Sequence, residues 1–330
     1  MKMKLTILKL IFSIACLVGS QGISISNAQQ QEKSMVLYTN YLLYVPVEAP
    51  GNKLYPLLLF LHGSDERGND LNLLKRNGPP SFLDNKSDFP FVVVSPQCPE
   101  NGNWDTQNLL TLLDHIEATL PIDKNKIYVT GLSMGGFGTW NLAQAAPERF
   151  AAIAPICGGG NLERLCIMRD VPVWAFHGAK DTAVPYEESE RLVQRLKEFE
   201  SDVRFTLYPD VGHDSWTKAY QNQELYSWLL SKSKNGNSPT VDDKILKTYG
   251  GKYKYSDEEI MEVTYENKNL YVTSSVANRK ILIMPFTNTK FRIPGPLGGD
   301  SDMYFKVTQN GKVEGFTVGP CDHTYCPRIE

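Results

Sequence analysis

An alternation of two hydrophobic patterns along residues 41–230 constrains the fold more than any other feature of the sequence. Short apolar runs rich in β-branched and aromatic residues alternate with longer stretches in which apolar residues recur every three or four positions, which indicates strands alternating with helices. The predicted strands are 56–61, 91–94, 126–130, 151–156, 171–176 and 203–208, and the predicted helices are 106–120, 136–146, 186–199 and 217–230. This order predicts an α/β fold with a doubly wound, mostly parallel sheet, whose active site lies at the carboxyl ends of the strands.

A polar stretch rich in breakers, 231–239, separates this region from a C-terminal part with a different pattern. There, short strands joined by turns such as Asn310-Gly311 predict a small antiparallel β domain, either a sheet or a barrel. Its predicted strands are 259–265, 270–273, 280–284, 290–293, 303–308 and 312–317. We therefore divide the chain into a leader at 1–28, an α/β catalytic domain at 29–231, a linker at 232–240 and a β domain at 241–330.

The first residues have the pattern of an export signal. Two lysines precede an apolar stretch at 5–18, and Ser26-Asn27-Ala28 ends in the small-x-small pattern of a cleavage site, so we expect an exported chain that begins near Gln29. A membrane span is disfavoured because Lys9 interrupts a stretch that is already short for about 30 Å of hydrocarbon. A lipid anchor on Cys16 is the alternative, although the residues before it match a lipobox poorly.

Charge and composition bound the partners. The chain is 42% hydrophobic and 22% charged, which is globular composition, and its formal net charge is −3. Because no basic run is interleaved with aromatic residues, we expect no nucleic-acid partner.

The cysteines do not form a scaffold of disulfides, because five of them, an odd number, remain after the leader. Cys321 and Cys326 flank a short loop and could form a disulfide or stay as free thiols. Together with His323 they offer three metal ligands but no evident fourth, so we expect no metal.

The motif with the clearest chemistry is Gly131-Leu132-Ser133-Met134-Gly135, a G-x-S-x-G between a predicted strand and a predicted helix. A sharp turn at this place forces Ser133 into a strained backbone conformation that exposes its hydroxyl above the sheet. The glycines allow the strand and helix to approach closely. We therefore predict that Ser133 is a nucleophile.

A serine hydroxyl needs an adjacent base, which in turn needs an orienting acid. His213 lies between the last strand and the last helix of the α/β part, where its ring can lean over the sheet edge. His115, His177 and His323 are more simply structural, because they lie in a helix, at a strand end and in the β domain.

The predicted acid is Asp181, which follows the preceding strand. Asp210 and Asp214 are the rival acids, and a turn or cap role is the alternative for Asp181. The resulting order along the chain, Ser133, Asp181, His213, is one that known triads use.

Acyl transfer also needs hydrogen-bond donors for the developing oxyanion. One should be the backbone N–H of Met134, directly after the nucleophile, and the other that of Ser64, in the turn after an early strand. We expect His62 to hold this turn, and Glu66 and Arg67 to pair and rigidify it.

These segments together resemble the phospholipase/carboxylesterase and feruloyl-esterase-like branch of the α/β-hydrolase superfamily, over about 41–230. The matching pieces are 61–68, 95–99 with Trp104, 131–136, 177–185 and 212–216. The resemblance implies hydrolysis of carboxylic esters, often acetyl or hydroxycinnamoyl esters on plant polysaccharide, without a metal or other cofactor. Relatives of the dienelactone-hydrolase type would have Cys where this chain has Ser133. Trp104 and Trp216 are candidates to bind an aromatic acyl group or a sugar, with core packing as the alternative.

The C-terminal part, from 249–253 onward, resembles the small β domain appended to some serine hydrolases of the penicillin-binding type. This resemblance implies no chemistry, although the domain offers a surface for oligomer formation. Two rival functions use the same fold: a serine peptidase of the prolyl-oligopeptidase type, and an inert carbohydrate-binding or assembly protein. The order of the predicted triad and the absence of an evident gating domain favour the ester hydrolase.

Overall fold

The computed structural model describes most of the chain. Outside the described residues lie the predicted leader with Cys16, most of the predicted linker, and Cys321 with His323. None of the helices within the described ranges is both long and apolar enough to cross a membrane. The ranges described are 29–35, 39–46, 53–199, 201–234, 241–285, 288–293, 301–319 and 324–330.

The first domain is an eight-stranded mixed sheet with helices between its strands. From one edge to the other the strand order is β1-β2-β4-β3-β5-β6-β7-β8. The strands from β3 onward are parallel to one another, and β1 and β2 add antiparallel strands at one edge. The predicted α/β fold is confirmed. The strands are β1 Gln29–Met35, β2 Thr39–Val45, β3 Tyr55–Leu61, β4 Val92–Pro96, β5 Ile122–Leu132, β6 Ala152–Ile156, β7 Val173–Gly178 and β8 Val203–Tyr208. The helices are α1 Pro80–Leu83, α2 Thr106–Thr119, α3 Met134–Ala145, α4 Glu187–Glu198, α5 Trp216–Gln221 and α6 Gln223–Ser231.

The sheet has a separate apolar core on each face. Successive side chains of a strand point to opposite faces, so Leu57, Leu59 and Leu61 of β3 join one core, whereas Leu58 and Phe60 join the other. Every residue of β3 is buried. A central parallel strand is covered on both faces and therefore needs a continuous apolar run. The end of this run marks the end of β3, beside the site.

The predicted helix 217–230 is wrong in one respect, because the structure has two helices there. The chain turns at Asn222, whose side chain accepts a hydrogen bond from the backbone N–H of Glu224 and so begins a new helix. The break is what sets the direction of α5, the helix that begins at Trp216.

The C-terminal domain is an antiparallel sheet of eight strands in sequential order. The predicted strands are present, with two more at the ends of the domain. The backbone of Lys252 pairs with Ile329 and Glu330, and Tyr253 pairs with Arg328, so the last residues return to β9 and close the sheet. The elements are α7 Asp243–Thr248, β9 Gly251–Lys254, β10 Ile260–Glu266, β11 Asn269–Ser274, β12 Lys280–Pro285, β13 Lys290–Ile293, β14 Ser301–Val307, β15 Val313–Val318 and β16 Thr324–Pro327.

The two domains meet at residues 169–170. The Lys290 ammonium forms an ion pair with Asp170 and lies 3.0 Å from a carboxylate oxygen of Asp302. The guanidinium of Arg169 lies over the Tyr304 ring. This contact is therefore made by charged side chains rather than by a shared apolar core.

The cysteines differ from one prediction. Cys326 is a free, buried thiol, so the disulfide considered for Cys321 and Cys326 does not form. Cys166 is disulfide-bonded, to a partner outside the described residues.

Candidate active site

The turn between β5 and α3 holds Ser133 in a strained conformation. Its φ of +53° and ψ of −117° lie in a region that residues with a side chain rarely adopt. The strain is sustained by close packing: a Cβ on Gly135 would lie 1.9 Å from the carbonyl oxygen of Leu61, and one on Gly131 would lie 2.4 Å from that of Gly135. Only glycine fits at both positions, which explains the G-x-S-x-G spacing.

The structure brings Ser133, His213 and Asp181 together in one hydrogen-bonded line. Nε2 of His213 is 2.9 Å from Oγ of Ser133, and Nδ1 of His213 is 2.8 Å from Oδ2 of Asp181. The geometry is that of a ring that donates from Nδ1 to a carboxylate and accepts from a hydroxyl at Nε2. Such a ring can take the serine proton as the oxygen attacks a carbonyl.

The hydrogen bonds around Asp181 favour its ionised form. It is 8% exposed, and burial by itself raises the pKa of its carboxyl, but hydrogen bonds from His213 and from the backbone N–H groups of Val184 and Ala183 outweigh that effect and lower the pKa. Both backbone donors reach Oδ1 at 2.9 Å, whereas Oδ2 lies 2.8 Å from Nδ1 of His213 and 3.2 Å from Nε2 of His177. The carboxylate is thereby fixed in both charge and direction.

The rival acids are engaged elsewhere. Asp210 forms an ion pair with Lys180, and both side chains are largely exposed. Asp214 caps α5, accepting from the backbone N–H and the hydroxyl of Thr217. Of the three candidate acids, Asp181 is therefore the one bonded to His213.

The two predicted oxyanion donors lie at the starts of helical turns. Met134 is the first residue of α3, and Ser64 is the first residue of a short 3-10 turn, so neither backbone N–H has an acceptor within its own helix. The N–H of Ser133 itself donates to the carbonyl of Ile156 at 3.0 Å. The turn that bears Ser64 lies against the elbow, because a Cβ on the preceding Gly63 would lie 2.8 Å from Cδ1 of Leu132.

His62 holds this turn from within the core. Its Nε2 accepts from the backbone N–H of Cys98 at 2.9 Å, and Nδ1 faces the carbonyl of Gly63, which together require a neutral ring. Burial lowers the pKa of His62 to about 4. The indole N–H of Trp104 donates to the carbonyl of His62 at 3.3 Å. Trp104, a predicted substrate-binding residue, is thus half-buried against this turn.

The prediction that Glu66 and Arg67 pair with each other is wrong, because each side chain bonds to a different residue. Glu66 accepts from the side-chain amide of Asn77, and Arg67 donates to Oδ1 of Asn103 at 3.0 Å. Adjacent side chains of a helical turn point in different directions, so neighbours in sequence are poorly placed to pair. Sequence reasoning missed Asn77, which also accepts from the Trp216 indole.

Comparison with known proteins agrees with the fold. Residues 87–227, which contain the elbow and the segments of Asp181 and His213, match the model of the dienelactone hydrolase family. A solved structure of a thermostable esterase is 33% identical, with a TM-score of 0.54 over 63% of this chain and 64% of that one. The first domain has the α/β-hydrolase fold.

The curated relatives of this hydrolase domain include two esterases. A bifunctional acetylxylan esterase/xylanase of Neocallimastix patriciarum is 28% identical over 193 residues, which is 56% of this chain and 27% of that protein. A probable feruloyl esterase C of Aspergillus terreus is 26% identical over 159 residues, 44% of this chain and 56% of that protein. The chain thus spans only part of the length of either relative.

A cysteine that sequence reasoning left aside lies directly behind the α/β-hydrolase elbow. Sγ of Cys157 is 3.3 Å from the backbone N of Ser133, and burial raises the pKa of the thiol to about 12. Among the described residues, the metal-binding side chains that lie close together are Cys157, Asp181 and His213. Asp181 and His213 are already bonded to each other, and the protonated thiol is a poor ligand, so the arrangement fits an acid–base pair of Asp181 and His213 better than a metal site.

Proposed function

We propose that this protein is a serine carboxylic ester hydrolase that works through a covalent acyl-enzyme. One observation carries the proposal: the unbroken line of hydrogen bonds from Asp181 through His213 to the hydroxyl of the strained Ser133. A structural serine has no need of a strained turn, a half-buried histidine and a buried carboxylate in line. That combination is what activates a hydroxyl as a nucleophile.

In the first half of the proposed reaction, Ser133 Oγ attacks the ester carbonyl while its proton moves to Nε2 of His213. The carbonyl oxygen becomes negatively charged and accepts hydrogen bonds from the N–H groups of Met134 and Ser64. Asp181 stabilises the imidazolium across its 2.8 Å hydrogen bond. His213 then gives the proton to the departing alcohol, which leaves the acyl group on Ser133.

In the second half, water takes the place of the alcohol. His213 removes a proton from the water, whose oxygen attacks the acyl carbon, and the same two N–H groups bind the second oxyanion. Collapse of this intermediate returns the proton from His213 to Ser133 Oγ and releases the acid. No group beyond those of the chain and water is needed to balance the reaction.

For the substrate we propose acetyl or hydroxycinnamoyl esters of carbohydrate, either small or linked to polysaccharide. The names of the two curated relatives support this class. Trp216 lies edge to face with His213, and Trp104 packs beside the oxyanion turn, so either ring can border an acyl group or a sugar at Ser133. The signal-like residues at 1–28 support export, which mass spectrometry of the N-terminus from producing cells would test.

The experiment compares Ser133→Ala with wild type on a panel of chromogenic esters of increasing acyl length, one hydroxycinnamate ester and one peptide amide. We expect wild type to hydrolyse esters and Ser133→Ala to lose at least about 99% of that turnover with its fold intact, because the covalent route is lost. A fluorophosphonate probe should label wild type alone. The matched control is Ser227→Ala, an exposed serine of α6. Retained turnover in Ser133→Ala would refute the proposal, and preference for the amide would favour a peptidase.

A further inference from the structure

A chain of hydrogen bonds joins the turn after β3 to the loop that carries His213. The side-chain amide of Asn77 donates to Oε1 of Glu66, and Oδ1 of Asn77 accepts from the indole N–H of Trp216 at 3.0 Å. The Trp216 ring meets the His213 ring edge to face, with centroids 5.2 Å apart and planes at 90°. Three segments that are distant in the sequence thus meet at one amide beside the proposed base.

Glu66 determines the orientation of the Asn77 amide in this series of hydrogen bonds. The residue is 3% exposed, and burial raises the pKa of its carboxyl, an effect that the hydrogen bond from Asn77 opposes. The NH2 of Asn77 donates to this carboxyl, which turns the amide oxygen of Asn77 towards Trp216. The indole N–H can only donate. The amide of Asn77 therefore has one orientation that satisfies both neighbours.

The Glu66 carboxyl accepts from the backbone N–H groups of Gly63 and Glu66 as well as from Asn77. Burying a charged group costs free energy that an apolar side chain would not cost. The turn is already held by Gln97, whose amide donates to the backbone carbonyls of Glu66 and Asp70 at 2.9 and 2.8 Å. The Glu66 side chain adds backbone hydrogen bonds within the turn and, through Asn77, the link to Trp216.

We propose that Asn77 is a positioning residue that fixes the plane of Trp216 and, through the edge-to-face contact, the ring of His213. This inference rests on the proposed function. The bond to Asp181 holds Nδ1 of His213, but the ring can still pivot about that bond, and the edge of Trp216 limits the pivot. A ring held in this way keeps Nε2 aimed at Ser133, so the bridge acts on kcat more than on KM.

The test exchanges the donor and acceptor groups of the bridge. Asn77→Asp removes the donor and places a second carboxylate against Glu66, so we expect kcat to fall about 10- to 100-fold with KM changed less than about threefold. The double variant Glu66→Gln/Asn77→Asp restores the bridge in reverse, because the new amide donates to the new carboxylate, which still accepts from Trp216. We expect its kcat to return to within about threefold of wild type.

The matched control is Asn72→Asp. Asn72 is an exposed residue of the 3-10 segment 71–76, and its amide also donates to an acidic side chain, that of Asp70. We expect its kcat within about twofold of wild type, because exposed polar substitutions of this kind have small effects.

A second measurement is independent of turnover. The indole N–H resonance of Trp216, assigned by its loss in Trp216→Phe, should move upfield in Asn77→Ala, which removes the acceptor, and should keep the wild-type shift in Glu66→Gln/Asn77→Asp. An active wild type with unchanged kcat in Asn77→Asp, or a double variant that folds without recovering kcat, would overturn the positioning role alone. A wild type without ester turnover would overturn the proposed function, whereas the resonance would still report the bridge.

Discussion

At the scale of single residues, the histidines of the α/β domain are distinguished by what their ring nitrogens contact. His62 bonds to backbone groups in the core. His177 is buried between Ser189 and the carbonyl of Val184, with a carboxylate oxygen of Asp181 at 3.2 Å. His213 alone of these three bonds to a serine at an elbow on one side and a carboxylate on the other. A general base needs this arrangement, because one ring nitrogen must face the hydroxyl that gives up its proton and the other must face a negative charge that stabilises the protonated ring.

Replacing Asp181 by Asn should lower kcat by about 10³–10⁴-fold without unfolding the protein. The substitution removes the charge that stabilises the imidazolium, and the new amide can present its NH2 to the ring and favour the wrong tautomer. Steady-state kinetics on a small ester measure the effect. Asp214→Asn is the matched control, because Asn still caps α5. Equal losses in the two variants would mean that Asp181 is not the acid.

Replacing His62 by Gln should flatten the dependence of stability on pH. The pKa of His62 is lowered from 6.5 to about 4 in the folded protein, so the unfolded chain binds a proton at pH values where the folded protein does not. Stability from this residue is therefore present above pH 6.5 and is lost as the pH falls towards 4, by about 3 kcal/mol in total. Urea unfolding of both proteins at pH 7 and pH 5 measures the difference. Parallel curves would show that His62 does not titrate in this way.

The proximity of Ser133, Asp181 and His213 could be predicted from the sequence, because each of them follows a predicted strand and strand ends meet at one edge of the sheet. Asn77 could not be predicted, since its partner Trp216 is 139 residues away and neither residue belongs to a recognisable motif. The partner of Glu66 was mispredicted for the same reason: the sequence shows which residues are adjacent, but only the fold shows which side chains face each other.

At the scale of elements, the turn at Ser133 keeps its strained conformation because β5, α3 and the end of β3 pack too closely to leave room for side chains at Gly131 and Gly135. The backbone around Gly135 and Leu61 leaves no room for a Cβ, and that closeness is what maintains the conformation of Ser133. The strained conformation of Ser133 therefore depends on the packing of three elements rather than on its own turn.

Gly135→Ala should destabilise the fold by more than about 3 kcal/mol or prevent folding, because the clash is with backbone atoms that cannot move aside. Gly250→Ala is the control: its Cβ would meet nothing closer than 3.5 Å, so its free energy of unfolding should change by less than about 1 kcal/mol. Thermal unfolding of both variants decides the matter. A Gly135→Ala protein as stable as the control would show that the elbow can relax.

Buried strands were predictable because a strand with apolar neighbours on both faces has an apolar sequence, as in β3 and β4. Strand β1 was missed because it is an edge strand with a polar sequence, paired only with β2. Strands β9 and β16 were missed because each is short and includes a residue that is depleted in strands, Gly251 in β9 and Pro327 in β16. The break at Asn222 was missed because the apolar spacing continues through it, while a single side-chain cap determines the turn.

At the scale of the whole molecule, the apolar cores are separate. Two lie within residues 41–230, one on each face of the first sheet, and a third lies within 241–326 in the closed antiparallel sheet. The contact between the domains at 169–170 includes an ion pair and a cation over a ring. The free energy that folds the first domain therefore comes from contacts inside it, and the second domain can act on substrate placement or assembly without contributing to the core.

A chain that ends at Lys234 should fold and keep its turnover of a small ester, because Ser133, Asp181, His213 and both proposed oxyanion donors precede that point. Loss of the second domain exposes Arg169 and Asp170, which are charged and tolerate water. Cys166 is disulfide-bonded, so Cys166→Ser is made in both proteins and neither then has that disulfide. The measurements are kcat/KM on a small ester, activity on a polymeric ester and light scattering, each beside the full chain. The short chain should still hydrolyse the small ester, even where its activity on the polymeric ester or its oligomeric state differs from that of the full chain. A folded but inactive short chain would show that the β domain completes the active site.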